Sequence, residues 1–268
     1  MGKIKDLLTR YTSSKGDLFR YSLSYCLLLS IFPALTIILF FFKSTGIDAV
    51  SLINGLYEFI PQDLIEPFVE FILTKDYSTF VSLIVTLVVA CYVSSKAFYS
   101  LMLLSEEDEG FEIYKLLVRI KAFVSFSIFI LIICAISIVN QFIDVMTSYL
   151  FLMTLPVVFY FMYRILSFEK KPWSYGIVGS IFSSVSIVFV GNVFLWFIKY
   201  FTRYDSLYGP IVSLVILFLA VYIISSIIYF GYCLNGIYGK SYDAPAFKHL
   251  KSYQWGNKML DKIMNHFR

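Results

Sequence analysis

Side chains able to do covalent or metal chemistry are few in this chain and lie apart. The only two histidines, His249 and His266, sit in the polar tail, and all four cysteines (Cys26, Cys91, Cys134, Cys233) fall inside apolar runs without CxxC spacing. Hydrolytic metal sites need clustered His and carboxylates. Neither a Ser-His-Asp set, a Cys-His pair nor a phosphate loop is present. The expectation is a non-enzyme with no metal and no cofactor, whose cysteines pack as small apolar residues. What the chain offers instead is hydroxyl groups, from Tyr and Ser, on the faces of apolar helices.

At about 100° per residue, Ser22, Cys26, Ser30 and Pro33 share one narrow face, with Tyr25 beside it. Pro33 cannot donate to the carbonyl of Leu29, and its ring crowds that turn. In lipid a freed carbonyl must be met by protein or water. The site is therefore either a kink packed among helices or a hinge lining a cavity. The last apolar run repeats the pattern, with Tyr222, Ser225, Ser226, Tyr229, Cys233 and Gly236 on one face and Gly231 and Asn235 on the other. In another run Tyr92, Ser95, Lys96 and Tyr99 line up, and Lys96 is the one basic residue well inside an apolar stretch. An intramembrane charge is a functional candidate, though this one is close enough to an end to snorkel. Gly176, Ser180 and Ser184, and again Gly179 and Ser183, have the small-xxx-small spacing of helix packing.

The elements that must position these residues follow from composition. Hydrophobic residues make up 59% of the 268-residue chain and charged residues only 15%, against about 25% in soluble domains. The deficit falls in long blocks, the mark of repeated membrane spans. Six segments qualify, near 21–42, 79–100, 121–142, 148–167, 175–198 and 209–235. Lys and Arg gather in the N-terminal arm, at Lys115, Arg119 and Lys121, at Arg164, Lys170 and Lys171, and in the tail. With six spans all of these fall on one side, so both termini are expected in the cytoplasm. The resulting plan is an all-α integral membrane protein with a cytoplasmic amphipathic arm (1–20), a six-helix membrane domain (21–238) and a basic cytoplasmic tail (239–268).

The first external loop, 43–78, is acidic and carries apolar residues at helical spacing. It reads as short amphipathic helices over the outer mouth, or as a solvated cap. The run Glu106, Glu107, Asp108, Glu109 reads as a solvated face, since consecutive acids cannot converge on a metal. The basic, aromatic-interleaved tail suits an anionic lipid leaflet rather than nucleic acid. Ser24-Tyr25 before Pro33 is echoed by Ser148-Tyr149 before Pro156, at the head of each three-span half. Paired, proline-interrupted helices in inverted halves point to transporter binding sites.

Tyr25 followed by Ser30-Ile31-Phe32-Pro33 resembles the first-span pattern of the YihY/BrkB family of bacterial inner-membrane proteins. The resemblance continues through Tyr163-Arg164, Lys171-Pro172-Trp173, Gly179, Tyr204-Asp205-Ser206-Leu207-Tyr208-Gly209 and Gly231-Tyr232-Cys233-Leu234-Asn235. It covers roughly residues 20–236. The resemblance implies a six-helix inner-membrane protein, and singles out Trp173, Gly179, Tyr208, Gly209, Gly231 and Asn235. Members of the family often carry an acid where this chain has Cys233, and Arg where it has Lys96. The label "ribonuclease BN" that accompanies the family finds no catalytic residues here.

The expected function is a transporter or permease-like protein for a lipid or amphipathic solute, with membrane lipids and a second copy of the chain, in a homo-oligomer, as its candidate partners. Its cavity would lie between the first, fourth and sixth spans, with Tyr25, Ser30, Tyr222, Ser225 and Tyr229 offering hydroxyls and Pro33 and Pro156 giving hinges. Lys96 and Arg164 would attract an anionic headgroup. The alternative is a non-catalytic membrane scaffold or envelope assembly factor in which the polar stripes merely pack.

Overall fold

The computed structural model describes residues 2–45, 80–110, 112–142, 147–168, 171–201 and 209–238, with Glu66, Glu70 and Lys258 as single positions. The expected loop helices in 43–78, the tail and Tyr208 lie wholly or mostly outside the described residues. The described chain is all-helical and contains no strand. Its helices are α1 (Gly2–Tyr11), α2 (Ser14–Thr45), α3 (Phe80–Ser94), α4 (Lys96–Glu109), α5 (Lys115–Phe142), α6 (Thr147–Leu166), α7 (Ile177–Phe201) and α8 (Gly209–Tyr238).

Among the described residues four stretches are long and apolar enough to cross a membrane: Ser14–Ile37, Leu87–Glu109, Ile177–Phe194 and Val215–Tyr238. Helices α5 and α6 lie where the third and fourth spans are expected. The outer surface is apolar, like the core, and some polar side chains are buried. Val85, Leu131, Val185, Phe189 and Trp196 point outward, while Ser94, Ser183, Ser225 and Asn235 are buried. Among apolar lipid tails helices gain little by hiding Leu from solvent, so close approach of small residues and interhelical hydrogen bonds hold them together.

Two local features differ from expectation. The arm is not one unit: Ser13 closes α1 by donating from Oγ to Arg10 O (2.8 Å) and opens α2 by accepting from Gly16 N (3.1 Å). That second bond is an N-cap, so α2 already begins at Ser14. The acidic run, expected as a solvated face, is engaged instead. It forms the last turn of α4, which ends at Gly110 in the left-handed region, φ 69°. Carboxylates at a helix C-terminus oppose the macrodipole, and their partners across the bundle offset that cost, as described below.

Candidate functional site

Helix α2 passes through Pro33 without interruption, as α6 passes through Pro156. The backbone irregularity lies in the neighbouring span, at Ser95, whose φ −66° and ψ −5° are still helical. Helix α3 stops at Ser94 and α4 starts at Lys96, with Ser95 between them. Ser95 N still bonds Cys91 O (3.0 Å) and Tyr99 N bonds Ser95 O (2.9 Å). The carbonyls of Tyr92 and Ser94 are taken by side chains. Ser95 Oγ donates to Tyr92 O (2.8 Å), and Arg119 Nη2 reaches the same oxygen while its guanidinium lies 4.2 Å from the Tyr92 ring. Ser30 Oγ, one turn before Pro33, lies 2.9 Å from Ser94 O and 2.6 Å from Cys26 O. Ser94 Oγ returns a bond to Ser30 O (3.3 Å). Both serines are buried. The proline turn of one span thus sits against the irregular turn of the next, and the two serines satisfy backbone groups that lipid could not.

A second polar cluster joins α6, α7 and α8. Gly179 is the third residue of α7, where a backbone N–H has no partner inside its own helix. Asn235 of α8 supplies one: Gly179 N donates to Asn235 Oδ1 at 2.7 Å. Asn235 therefore caps α7 from another helix, and this bond fixes which way its amide points. One turn along, Tyr163 OH donates to Ile228 O (2.9 Å) and lies 2.7 Å from Ser183 Oγ. A phenol has one proton, so Ser183 is the donor in the second contact. A Cβ on Gly179 would collide with Asn235 Nδ2 and the Gly231 carbonyl, and one on Gly231 with Ser183 Oγ and the Tyr163 hydroxyl. Only glycine lets α7 and α8 approach this closely.

Tyr163, Gly179, Gly231 and Asn235 are four of the motif positions on which the family resemblance rests, drawn together from three helices. The sequence model of the family described as Virulence factor BrkB matches residues 7–253. The chain belongs to the BrkB family. No curated protein and no solved structure matches it significantly.

The third cluster of this BrkB-family protein was not legible as a site. Each carboxylate in the last turn of α4 reaches a different element. Glu106 Oε1 accepts from Ile113 N (2.8 Å), fixing the approach to α5. Glu107 pairs with Lys15 of α2 (2.6 Å). Asp108 pairs with Arg10 of α1 and accepts from Tyr232 OH of α8 (2.9 Å). Glu109 accepts from Ser167 Oγ (2.5 Å) and Phe168 N (2.8 Å) and faces Lys171 Nζ at 3.4 Å. Successive helical residues point about 100° apart, so four consecutive acids can serve four directions. Partial burial works against the Arg10 charge, but Asp108 and neighbouring Cys and Tyr groups outweigh it, and its pKa lies above the usual arginine value. The acid that the resemblance leads one to expect at position 233 is absent, and the carboxylate facing Arg10 comes from Asp108 instead.

The other sequence candidates separate. Tyr25 points outward, 62% exposed. Tyr222 stacks on Tyr21 with ring centroids 5.6 Å apart. Ser225 Oγ donates to Arg20 O (2.8 Å), and Tyr229 stacks on Tyr11 beneath α1. Arg164 is held by its own connection, donating to Pro172 O (3.0 Å) and Lys171 O (3.3 Å) beneath the exposed Trp173 ring. Lys96 opens α4 and is half-buried. Gly209 begins α8. Ser30 thus meets Ser94, and Ser225 and Tyr229 meet the arm, but Tyr25, Pro33 and Pro156 do not converge with them on one enclosed cavity. Among the described residues no group of three or more His, Cys, Asp or Glu side chains could hold a metal.

Proposed function

We propose that this BrkB-family protein is a six-span permease of the bacterial inner membrane, both termini cytoplasmic, that passes a lipid or amphipathic solute. One observation carries the reading: the proline turn of α2 lies against the irregular turn between α3 and α4, bridged by Ser30 and Ser94. Irregular helix turns at membrane depth are tolerated where they are buried in protein or line a path. The ion pairs of Arg10, Lys15 and Lys171 with the end of α4 supply a closure across the same bundle. These charges come from the segments that the positive-inside rule assigns to the cytoplasm. Opening would require the carboxylates to exchange partners, which is cheap for the exposed Lys15–Glu107 pair and costlier for the Glu109–Lys171 pair, whose side chains are largely buried.

The test is reconstitution into vesicles, with movement of labelled lipid and of amphipathic dyes followed in wild type and in Ser30→Val with Ser94→Val. Transport that is present in wild type and lost in the double variant supports the reading. A wild type that moves nothing defeats it. Topology is checked by labelling single cysteines at Lys75 and Lys258, which should react from opposite sides.

A second reading, a non-catalytic scaffold, is favoured by a specific observation. Hydroxyls expected to greet a solute are engaged by backbone carbonyls, as with Ser225 to Arg20 O (2.8 Å) and Tyr229 to Arg10 O (3.4 Å). Loss of cellular function on deleting residues 43–78, with Ser30 and Ser94 freely replaceable, would select it.

A further inference from the structure

An open groove of about 420 Å³ runs between α8 and α7 beneath the α1–α2 elbow. Its walls are apolar, from Phe182, Ile223, Ile227 and Phe230, with Arg20 and Tyr11 set beside Phe230 and with Tyr222 and Ser226 interleaved along α8. Arg20 is unusual for a cation beside lipid. Its side chain is only 11% exposed, and its Nε is buried with no hydrogen-bond partner among the described residues. Asp17, the carboxylate it meets, is itself 45% exposed and engages Nη2. The other face of the guanidinium lies 4.2 Å from the Tyr11 ring. Arg20 lines the groove and Asp17 engages only its Nη2, so the guanidinium keeps donors for an oxyanion: Arg presents five in a fixed fork that suits phosphate.

The depth of the site names the occupant. Arg20 is the last charged residue before the apolar run that starts at Tyr21. The Tyr21–Tyr222 stack beside it has the character of headgroup-level aromatics. A ligand held here would meet the Arg20 charge beside Tyr11 and Phe230, and mostly hydrocarbon along Ile227 and Ile223. We propose that the groove binds an anionic phospholipid, the phosphate on Arg20 and an acyl chain along Ile223, Ile227 and Phe230. Binding is independent of whether the protein moves lipid.

Full-length protein in detergent, carrying phosphatidylglycerol or phosphatidylcholine in competition, is examined by native mass spectrometry. Wild type is expected to retain phosphatidylglycerol preferentially, and Arg20→Gln to lower that preference about fivefold, the worth of one basic contact at a membrane surface. Ile227→Trp, which fills the groove and keeps the charge, should lower retention of both lipids. Asp17→Asn, which frees Nη2, should raise the preference. Glycerol phosphate and inorganic phosphate should not displace the lipid. An unchanged preference in Arg20→Gln overturns the proposal, as does an equal loss in the surface control Lys5→Gln. Displacement by glycerol phosphate overturns the acyl half of it. Should Arg20→Gln not fold, an unaltered Ile227→Trp or Asp17→Asn is equally fatal. Lipid that binds but is never transported defeats the permease reading alone and leaves this site standing.

Discussion

Replacing Gly179 with Ala tests the helix junction most directly. The new methyl would meet Asn235 Nδ2 and the carbonyl of Gly231, and a backbone oxygen cannot rotate away. Helix α7 must then withdraw from α8. Overpacking of this kind costs about 1–3 kcal/mol. Withdrawal also stretches the 2.7 Å bond from Gly179 N to Asn235 Oδ1, and a buried donor left unpaired costs about 1–3 kcal/mol more. The expected loss is therefore about 4 kcal/mol, from a total of about 5–15 kcal/mol for a typical domain. In detergent this should appear as a fall in Tm of about 10 °C by intrinsic fluorescence. Gly191→Ala on the same helix is the control. Nothing lies within 4 Å of its new methyl, so it should be neutral or stabilising by up to about 1 kcal/mol. Asn235→Ala removes one of the two obstacles along with the cap. Gly179→Ala should then cost at least about 1 kcal/mol less in that background. A Gly179→Ala protein that melts with wild type, or a double variant showing simple additivity, refutes the account.

Ser30→Ala and Ser94→Ala should each destabilise by about 1–2 kcal/mol in detergent unfolding, and by less than the sum when combined, because they share one pair of bonds. Asp108→Asn should loosen α1, whose amides would exchange hydrogen about fivefold faster if the Arg10 pair contributes about 1 kcal/mol; high salt should move wild type in the same direction. Glu109→Gln should speed exchange of the Phe168 amide, which donates to Glu109 Oε2, while leaving α1 unaffected.

Helical class, apolar faces and the small-residue stripe of α7 were legible because each depends only on local period. Periodicity also put Gly231 and Asn235 on a face of their own, apart from the Tyr and Ser stripe. It could not say that this face meets Gly179 and Ser183, which lie far away in the chain. The irregularity at Ser95 carries neither Gly nor Pro. Its single sequence signal is Ser-Ser-Lys within an apolar run, whereas the conspicuous Pro33 and Pro156 leave their helices continuous. The acidic turn was read as solvated because its partners are remote: Arg10 lies 98 residues from Asp108, and Lys15 lies 92 from Glu107. No local pattern registers such pairings. Arg164 shows the reverse error of emphasis, since its donors are taken by carbonyls only seven and eight residues away.

The cap that Asn235 places on α7 has a consequence for biogenesis. The acceptor lies 56 residues downstream of the amide it serves. While α7 emerges from the ribosome, its first turn lacks that acceptor, and Tyr163 of α6 lacks the carbonyl of Ile228 that anchors it. Both arrive together on the final span. Helices α7 and α8 therefore complete one another as a hairpin, and a chain truncated before Ile228 would leave α6 and α7 with polar groups exposed to lipid. Quality control at the membrane would read that state as unfinished.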